Sequence, residues 1–340
     1  MDVLHLAGAT TTRFYHDLSL TYRRHCVAPP GTRAASLDVA PDGTLSWDGT
    51  PVPLSVALHR AAAMDVVVPH MFCPAGMTAW RDLFETVVGV PVVGPSVSTL
   101  TTATSKSLTK ALAGTVGVRS PAGHRLTAGA LAPDIPVPCI VKPDGEDNSL
   151  GLTLVRDRAD LAAALGCALQ ADRVALAEEY IPGREVRVGV IDDGRGPRVL
   201  PILEYHVTAE RPIRQRADKV DLDEDGAVTM KAWQEPSLDT SCPADLSPNL
   251  RAELARFALA MHDALNCRDY SLYDFRIHAG TGAAYLLEAC IFWTFTPISV
   301  ISRMLAAEGT DLETAALRMW RRAAERKGAA PAGQPPLAAE

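Results

Sequence analysis

The sequence predicts an α/β fold at its N-terminal end that passes into α+β structure over the remainder. Two observations carry this. Short β-branched runs alternate with helical periodicity over the first hundred or so residues, the βα alternation of a parallel sheet. Beyond residue 137, strands follow one another across turns containing glycine and proline, as antiparallel pairs do. At 340 residues the chain fits two domains or three small ones, each able to bury a core. Hydrophobic residues at 47% and charged residues at 21% make the composition globular. A net charge of −7 argues against a partner bound by neutralising phosphates, so no nucleic acid is expected. No apolar run is long enough to cross a bilayer, and the first residues carry no basic-then-apolar leader, so neither a membrane contact nor secretion is expected. The seven cysteines are scattered without a CxxC pair, which reads as reduced thiols in the cytoplasm.

The elements follow in order. Residues 3–7 are a first strand, and DVVVP (65–69) is a continuous run typical of a strand buried on both faces. Residues 78–88 are helical in pattern, and GVPVVG (89–94) is a short strand between glycines. One helix is expected over 96–117, with Leu100, Ala103, Leu108, Ala111 and Leu112 near helical spacing. VPCIVK (137–142) is a strand, DGEDNSLG (144–151) a polar loop, and 152–155 a second strand. Asp157 precedes a helix with its apolar face over 161–169. Strands at 174–180 and 185–191 are joined through Ile-Pro-Gly, and a further strand spans 198–205. Residues 207–246 are charged and aperiodic, long enough to be a lid. Ser247-Pro248 caps a helix, proline taking its first position. Strands at 270–277 and 283–290 flank GTG (280–282), a hairpin signal. Helices near 298–307 and 311–326 precede a low-complexity tail, 327–340, expected to be disordered. The expected domains are therefore 1–95, 96–190, and 191–326 with the lid at 207–246.

Five features carry chemistry. Lys106 lies in a helix, and Lys142 ends an apolar strand ahead of the 144–151 loop. AEEYIPGRE (177–185) crosses between two strands, while Asp274 and Glu288 lie on the strands of the hairpin. Taken singly, each is an ordinary surface charge. Together they are harder to dismiss, because two carboxylates on paired strands repel unless a cation lies between them. Mg²⁺ takes one or two carboxylates plus substrate phosphates. Two distant lysines and the backbone N–H groups of the loop could complete a polyphosphate clamp. The sequence holds neither a Walker A motif nor GxGxxG, so such a nucleotide site has another architecture.

On these residues the chain resembles the ATP-grasp superfamily, specifically the D-alanine–D-alanine ligase-like family. The resemblance covers residues 60–310. It rests on GVPVVG (89–94), Ser105-Lys106 with Thr109-Lys110, IVKP (140–143), NSLG (148–151) and EEYIPGRE (178–185). Asp274-Phe275, LLE (286–288) and TPIS (296–299) continue it, with a weaker piece at HDLS (16–19). The resemblance implies an N-terminal α/β domain and two α+β lobes clasping ATP, with Mg²⁺ as cofactor. It implies that Lys106 and Lys142 contact the phosphates under a loop bearing Asn148 and Ser149. Glu178 and the backbone of Glu179 and Ile181 would hold the adenine, Leu287 would line the same site, and Glu185 would take the ribose hydroxyls. Asp274 and Glu288 would bind the metal, with Cys290 at the third position. Lys231 would be the lid lysine, grouped with Lys142 and Ser149 as catalytic. Asp17 would meet the amino group of the first substrate, Ser299 the carboxylate of the second, and Arg276 would lie on the substrate side.

The departures from the family pattern shape the expected activity. Cys290 stands where an asparagine metal ligand is usual, and a thiol is a poor ligand for Mg²⁺. Leu272 replaces an arginine, Trp293-Thr294 replaces Pro-Gly, and MFCPAG (71–76) replaces a His-Gly and acidic loop. ERPIRQR (210–216) places Arg211, Arg214 and Arg216 where the lid begins. Arginine forks bind carboxylates bidentately, which suggests a dicarboxylic, glutamate-like donor. The expectation is an ATP-dependent ligase joining two amino acids through an acyl phosphate, in specialised metabolism. Two alternatives stay open: a D-alanine–D-alanine ligase of cell-wall synthesis, and a nucleotide-binding regulatory protein without catalysis. The partners expected are two amino-acid substrates, and a homodimer is left open.

Overall fold

The computed structural model describes residues 1–215, 221–222, 228–229 and 239–328. They form two compact units. The first holds residues 1–23, 28–93 and those from 313 onward, and the second holds 24–27 and 94–312. Among the described residues no helix is long and apolar enough to cross a membrane.

In the first unit, strand β1 (Asp2–Gly8) lies between β2 (Arg33–Val39) and β5 (Val66–Pro69), parallel to both. The helices α1 (Arg13–His25) and α2 (Leu54–Ala62) lie in the connections. The sheet is mixed, not all-parallel as the βα alternation suggested. After β2 the chain turns back within a few residues, Ala40 N–H donating to Thr44 O, and so β3 (Leu45–Trp47) and β4 (Thr50–Pro51) add antiparallel. A parallel neighbour would need a long crossover there. GVPVVG makes only one parallel bridge, Val67 to Val92, and the helical pattern before it is realised as two π-helical turns, Gly76–Trp80 and Leu83–Val88. The helix Leu312–Ala324 follows the last lobe in sequence, yet it groups from Glu313 onward with the first unit, Trp320 lying edge-on to His5. Lys327, at the start of the expected disordered tail, donates to Met64 O at 2.5 Å.

The second unit holds two antiparallel sheets. One has the order β6 (Gly123–Thr127), β9 (Val174–Glu179), β7 (Cys139–Pro143), β8 (Thr153–Val155). Strand alternation sends Cys139, Val141, Ala175 and Ala177 to the face covered by α5 (Leu161–Ala171), where Leu161, Ala164, Leu165 and Ala168 close the core. Ile140, Lys142 and Glu178 consequently face the other way. The second sheet has the order β15 (Thr240–Ser241), β12 (Leu203–Tyr205), β10 (Gly183–Ile191), β16 (Tyr270–His278), β17 (Ala284–Ala289), with β11 (Arg198–Val199) on β10. One of its faces packs on α6 (Pro248–Ala264), where Phe257 stacks on Phe275.

Two expectations change here. The helix over 96–117 is two helices, α3 (Val97–Thr104) and α4 (Lys106–Thr115). The break falls at Ser105, which takes an extended conformation and accepts the Leu108 N–H. The strand at 198–205 is interrupted around Pro201, which has no N–H to give a ladder. Within the expected lid, β13 (Asp221–Leu222) and β14 (Val228–Thr229) pair antiparallel. Residues 216–220, 223–227, 230–238 and 329–340 lie outside the described residues, and with them Arg216 and Lys231.

The chain leaves one sheet for the other between β9 and β10. Gly183 makes the crossing at φ +139°, and a Cβ there would come within 2.0 Å of Ile277 O. Gly183→Ala should therefore lower the unfolding free energy by about 3 kcal/mol. At Gly282, where φ is +71° but the space is open, the same change should cost only about 1 kcal/mol. Urea denaturation of the two variants checks the contrast.

Candidate active site

Helix α4 brings two lysines to one face. Lys106 and Lys110 are four residues apart, so their side chains lie one above the other. Lys110 Nζ pairs with Glu178 Oε2, and Lys142 Nζ lies 2.5 Å from Oε1 of the same carboxylate. Burial alone would raise the Glu178 carboxyl, but the two ammonium groups hold it below its ordinary range. Burial, helped by the charge of Lys142, pushes Lys110 down to about 8 against the pull of Glu178. Lys106 donates to Glu146 O at 2.5 Å and stands 3.5 Å from Glu288 Oε2. Burial opposes its charge too, but Glu288 and Asp147 outweigh that and hold it above the usual lysine range.

The loop after β7 is fastened to the start of α4. The Asp144 carboxylate accepts from Ser105 Oγ at 2.6 Å and from Ser107 N–H at 2.7 Å. Asn148, Ser149 and Gly151 all take left-handed conformations, with φ of 53°, 58° and 66°. Ser149 Oγ donates to Arg214 O at 2.9 Å.

The second sheet supplies the acidic wall. Asp274 on β16 is paired with Glu288 on β17, but Phe275 is paired with Leu286, so Leu287 is an extra residue in a β-bulge. Both Leu287 and Glu288 thereby line the cleft. Residues 185 and 187 on β10 share a face, as do 274 and 276 on β16. Arg187 Nη2 donates to Asp274 Oδ2 at 2.8 Å and its Nε lies 2.7 Å from Oδ1. Arg214 Nη2 also donates to Oδ2, at 2.8 Å, while its Nε pairs with Glu185. Its guanidinium lies 4.0 Å from the ring centroid of Tyr205. Arg276 donates Nη1 to Pro212 O at 2.9 Å and lies over the ring of Tyr180.

One cleft is lined by Lys106, Lys142, Asn148, Ser149, Glu178, Glu179, Ile181, Glu185, Arg214, Asp274, Arg276, Leu287 and Glu288. The donor atoms of Asp274, Glu288 and Cys290 lie within 4.8 Å of one another. Asp274 Oδ1 is buried and accepts no hydrogen bond among the described residues, the Arg187 Nε–H beside it being misdirected. An orphaned carboxylate oxygen beside a second carboxylate suits a hard divalent cation. The Cys290 thiol suits it less well, being soft and pushed far above its usual range by burial and by Asp274 and Glu288.

The other expected residues lie elsewhere. Asp17 is in the first unit, on α1, beside Arg13 and His16. Ser299 stands before α7 (Val300–Ala307), accepting from Trp293 Nε1 and donating to Thr296 O, both at 3.0 Å. Arg211 is exposed. Sequence reasoning gave no role to Lys110, although its spacing from Lys106 was a readable signal. It missed Tyr180, which lines the cleft, and Arg187 and Tyr205, which strand register sets against Asp274 and Arg214.

The chain also matches known proteins. The family model described as the C-terminus of D-ala D-ala ligase matches residues 125–319, more than half of the chain. The chain belongs to the D-alanine–D-alanine ligase family. A D-alanine–D-alanine ligase of Pelobacter propionicus is 28% identical over 286 residues, covering 83% of this chain and 82% of that protein. The structure of the D-alanine–D-alanine ligase from Coxiella burnetii superposes with a TM-score of 0.77 at 17% identity, covering 96% of this chain and 94% of that one. The Bacillus anthracis enzyme complexed with ATP gives a TM-score of 0.72 at 16% identity, covering 96% and 98%. The fold is the ATP-grasp fold of that family, and the chain is an ATP-dependent ligase that forms an amide bond.

Lys110 offers a pH-dependent signature. Folded, it releases its proton near pH 8, whereas an ordinary lysine holds it to 10.5. Between these values the unfolded chain binds more protons, so the contribution of this group to stability rises with pH across that window. Lys110→Met should flatten the rise. Urea denaturation of both proteins at pH 8 and pH 10 measures it.

Proposed function

We propose that this ligase joins two amino acids through an acyl phosphate, with ATP in the cleft described above. The convergence of Lys106, Lys142, Glu178, Asp274 and Glu288 on one cleft, in a chain of this family, supports the reading most strongly. The triphosphate lies toward Lys106, Lys142 and the loop of Asn148 and Ser149. The adenine lies against Glu178, Glu179, Ile181 and Leu287, and the ribose at Glu185. D-Alanine, the amino acid in the matched relatives' names, is proposed for both positions.

One donor carboxylate oxygen attacks the γ-phosphorus, ADP leaves, and an acyl phosphate forms. The amine of the second amino acid then attacks the acyl carbon, and inorganic phosphate leaves. Phosphoryl transfer asks the protein chiefly for position and charge. Lys106 and Lys142 are held in place before the reaction by Glu288, Glu178 and backbone carbonyls, so they need little reorganisation to meet developing negative charge. Asp274 and Glu288 would hold Mg²⁺, which would supply further neutralisation of the phosphates. The arginines near the lid do not extend the proposal to an acidic donor. Of these, Arg214 is engaged by Glu185 and Asp274, Arg211 is exposed, and Arg216 lies outside the described residues.

ADP release with ATP, Mg²⁺ and a panel of D- and L-amino acids, glutamate included, tests this. Turnover with D-alanine and a dipeptide product by mass spectrometry are expected. Nucleotide binding without amide formation from any amino acid would favour a regulatory protein instead. Lys142→Ala and Glu288→Ala should each lower kcat/KM at least ~100-fold, the usual scale for losing one preorganised charge contact. Rates near wild type in both would remove the cleft from the chemistry.

A further inference from the structure

The two arginines on Asp274 are of different kinds. Arg214 comes from the chain just before residues 216–220 and reaches the carboxylate through one Nη2. Arg187 sits in the middle of β10, its backbone opposite Asp274 on β16 and Leu203 on β12. A central strand cannot withdraw a side chain as a loop can, so Arg187 is a permanent cation of this wall. Its Nη2 serves both Asp274 Oδ2, at 2.8 Å, and Cys290 Sγ, at 3.7 Å. The guanidinium thus meets two of the three groups, Asp274 and Cys290, that could otherwise hold metal ions.

The carboxylates show the same limit. Oδ2 of Asp274 accepts from two guanidinium groups, and Oδ1 alone is left without a hydrogen bond. A carboxylate that bridges two cations uses both oxygens, and here Arg187 stands against both, its Nη2 on Oδ2 and its Nε 2.7 Å from Oδ1. Charge points the same way. Asp274 and Glu288 carry two negative charges, and Arg187, Lys106 and Arg214, the last shared with Glu185, already supply three positive ones at 2.7–3.5 Å. Each added divalent ion therefore depends on the charge that the nucleotide brings.

We infer that Arg187 is a positioning residue that stands as a fixed cation on Asp274 and restricts this wall to a single divalent ion. The inference rests on the cleft being the nucleotide site. Arg187 fixes the orientation of Asp274, and with its Nη2 against Cys290 Sγ it takes the ground that a second ion would need. The soft sulfur at Cys290 suits a guanidinium neighbour no worse than it would suit Mg²⁺.

Mn²⁺ is the probe, counted by electron paramagnetic resonance on the full chain saturated with a non-hydrolysable ATP analogue. Wild type and Arg187→Lys should each bind one Mn²⁺ per bound nucleotide, because both keep a cation on Asp274. Arg187→Met should bind two. Arg187→Gln replaces it if the methionine variant loses its cooperative unfolding transition, and should also bind two. Two ions in wild type, or one in every neutral variant, overturns the inference while nucleotide binding persists. Failure of wild type to bind the analogue overturns the reading of the cleft, and the inference with it.

Discussion

A single buried carboxylate organises this cleft. Glu178 is 3% exposed and shared between Lys110 from α4 and Lys142 from β7. A charge so placed is tolerable only if paired, and removing one partner of a buried pair costs about 3–5 kcal/mol. The pairing therefore fixes α4 against the first sheet of the second unit. Lys106, one turn earlier, meets Glu288 and ties the same helix to the second sheet. One helical face thus registers two sheets that share no strand.

Alternation and one irregularity do the remaining work. In each sheet the apolar residues face a helix, α5 or α6, and the charged residues of the same strands turn to the cleft. Regular alternation would have sent Leu287 and Glu288 to opposite faces. The bulge between Asp274 and Phe275 lets both line the cleft, one apolar and one charged. The loop of residues 144–151 completes it, its base held by the hydrogen bonds of Asp144 to Ser105 and Ser107.

Much of this cleft is legible in the amino-acid sequence. Lys142 closes a β-branched strand, and Asp274 and Glu288 flank a hairpin turn, so local pattern is enough to find them. Lys110 can be found from its spacing to Lys106. Arg187 cannot, because its partner Asp274 is 87 residues away and only the register of β10 on β16 joins them. The break at Ser105 is hidden for a like reason, since Asp144, which holds the new helix start, is 39 residues distant. The apolar stripe of Ala315, Ala316, Met319 and Trp320 announces a packed helix but not which sheet it joins. Arg214 near the lid is a different case: its type suggests a substrate carboxylate, whereas it serves the carboxylates of the protein itself.

Hydrogen–deuterium exchange with and without ATP and Mg²⁺ tests the central claim most directly, because it reports where the nucleotide lies whatever the amino-acid substrates are. The account predicts slowed exchange in the 144–151 loop and at Glu179 to Ile181, with the sheet of β1, β2 and β5 unchanged. Protection absent from that loop, or confined to residues outside the cleft, would contradict it.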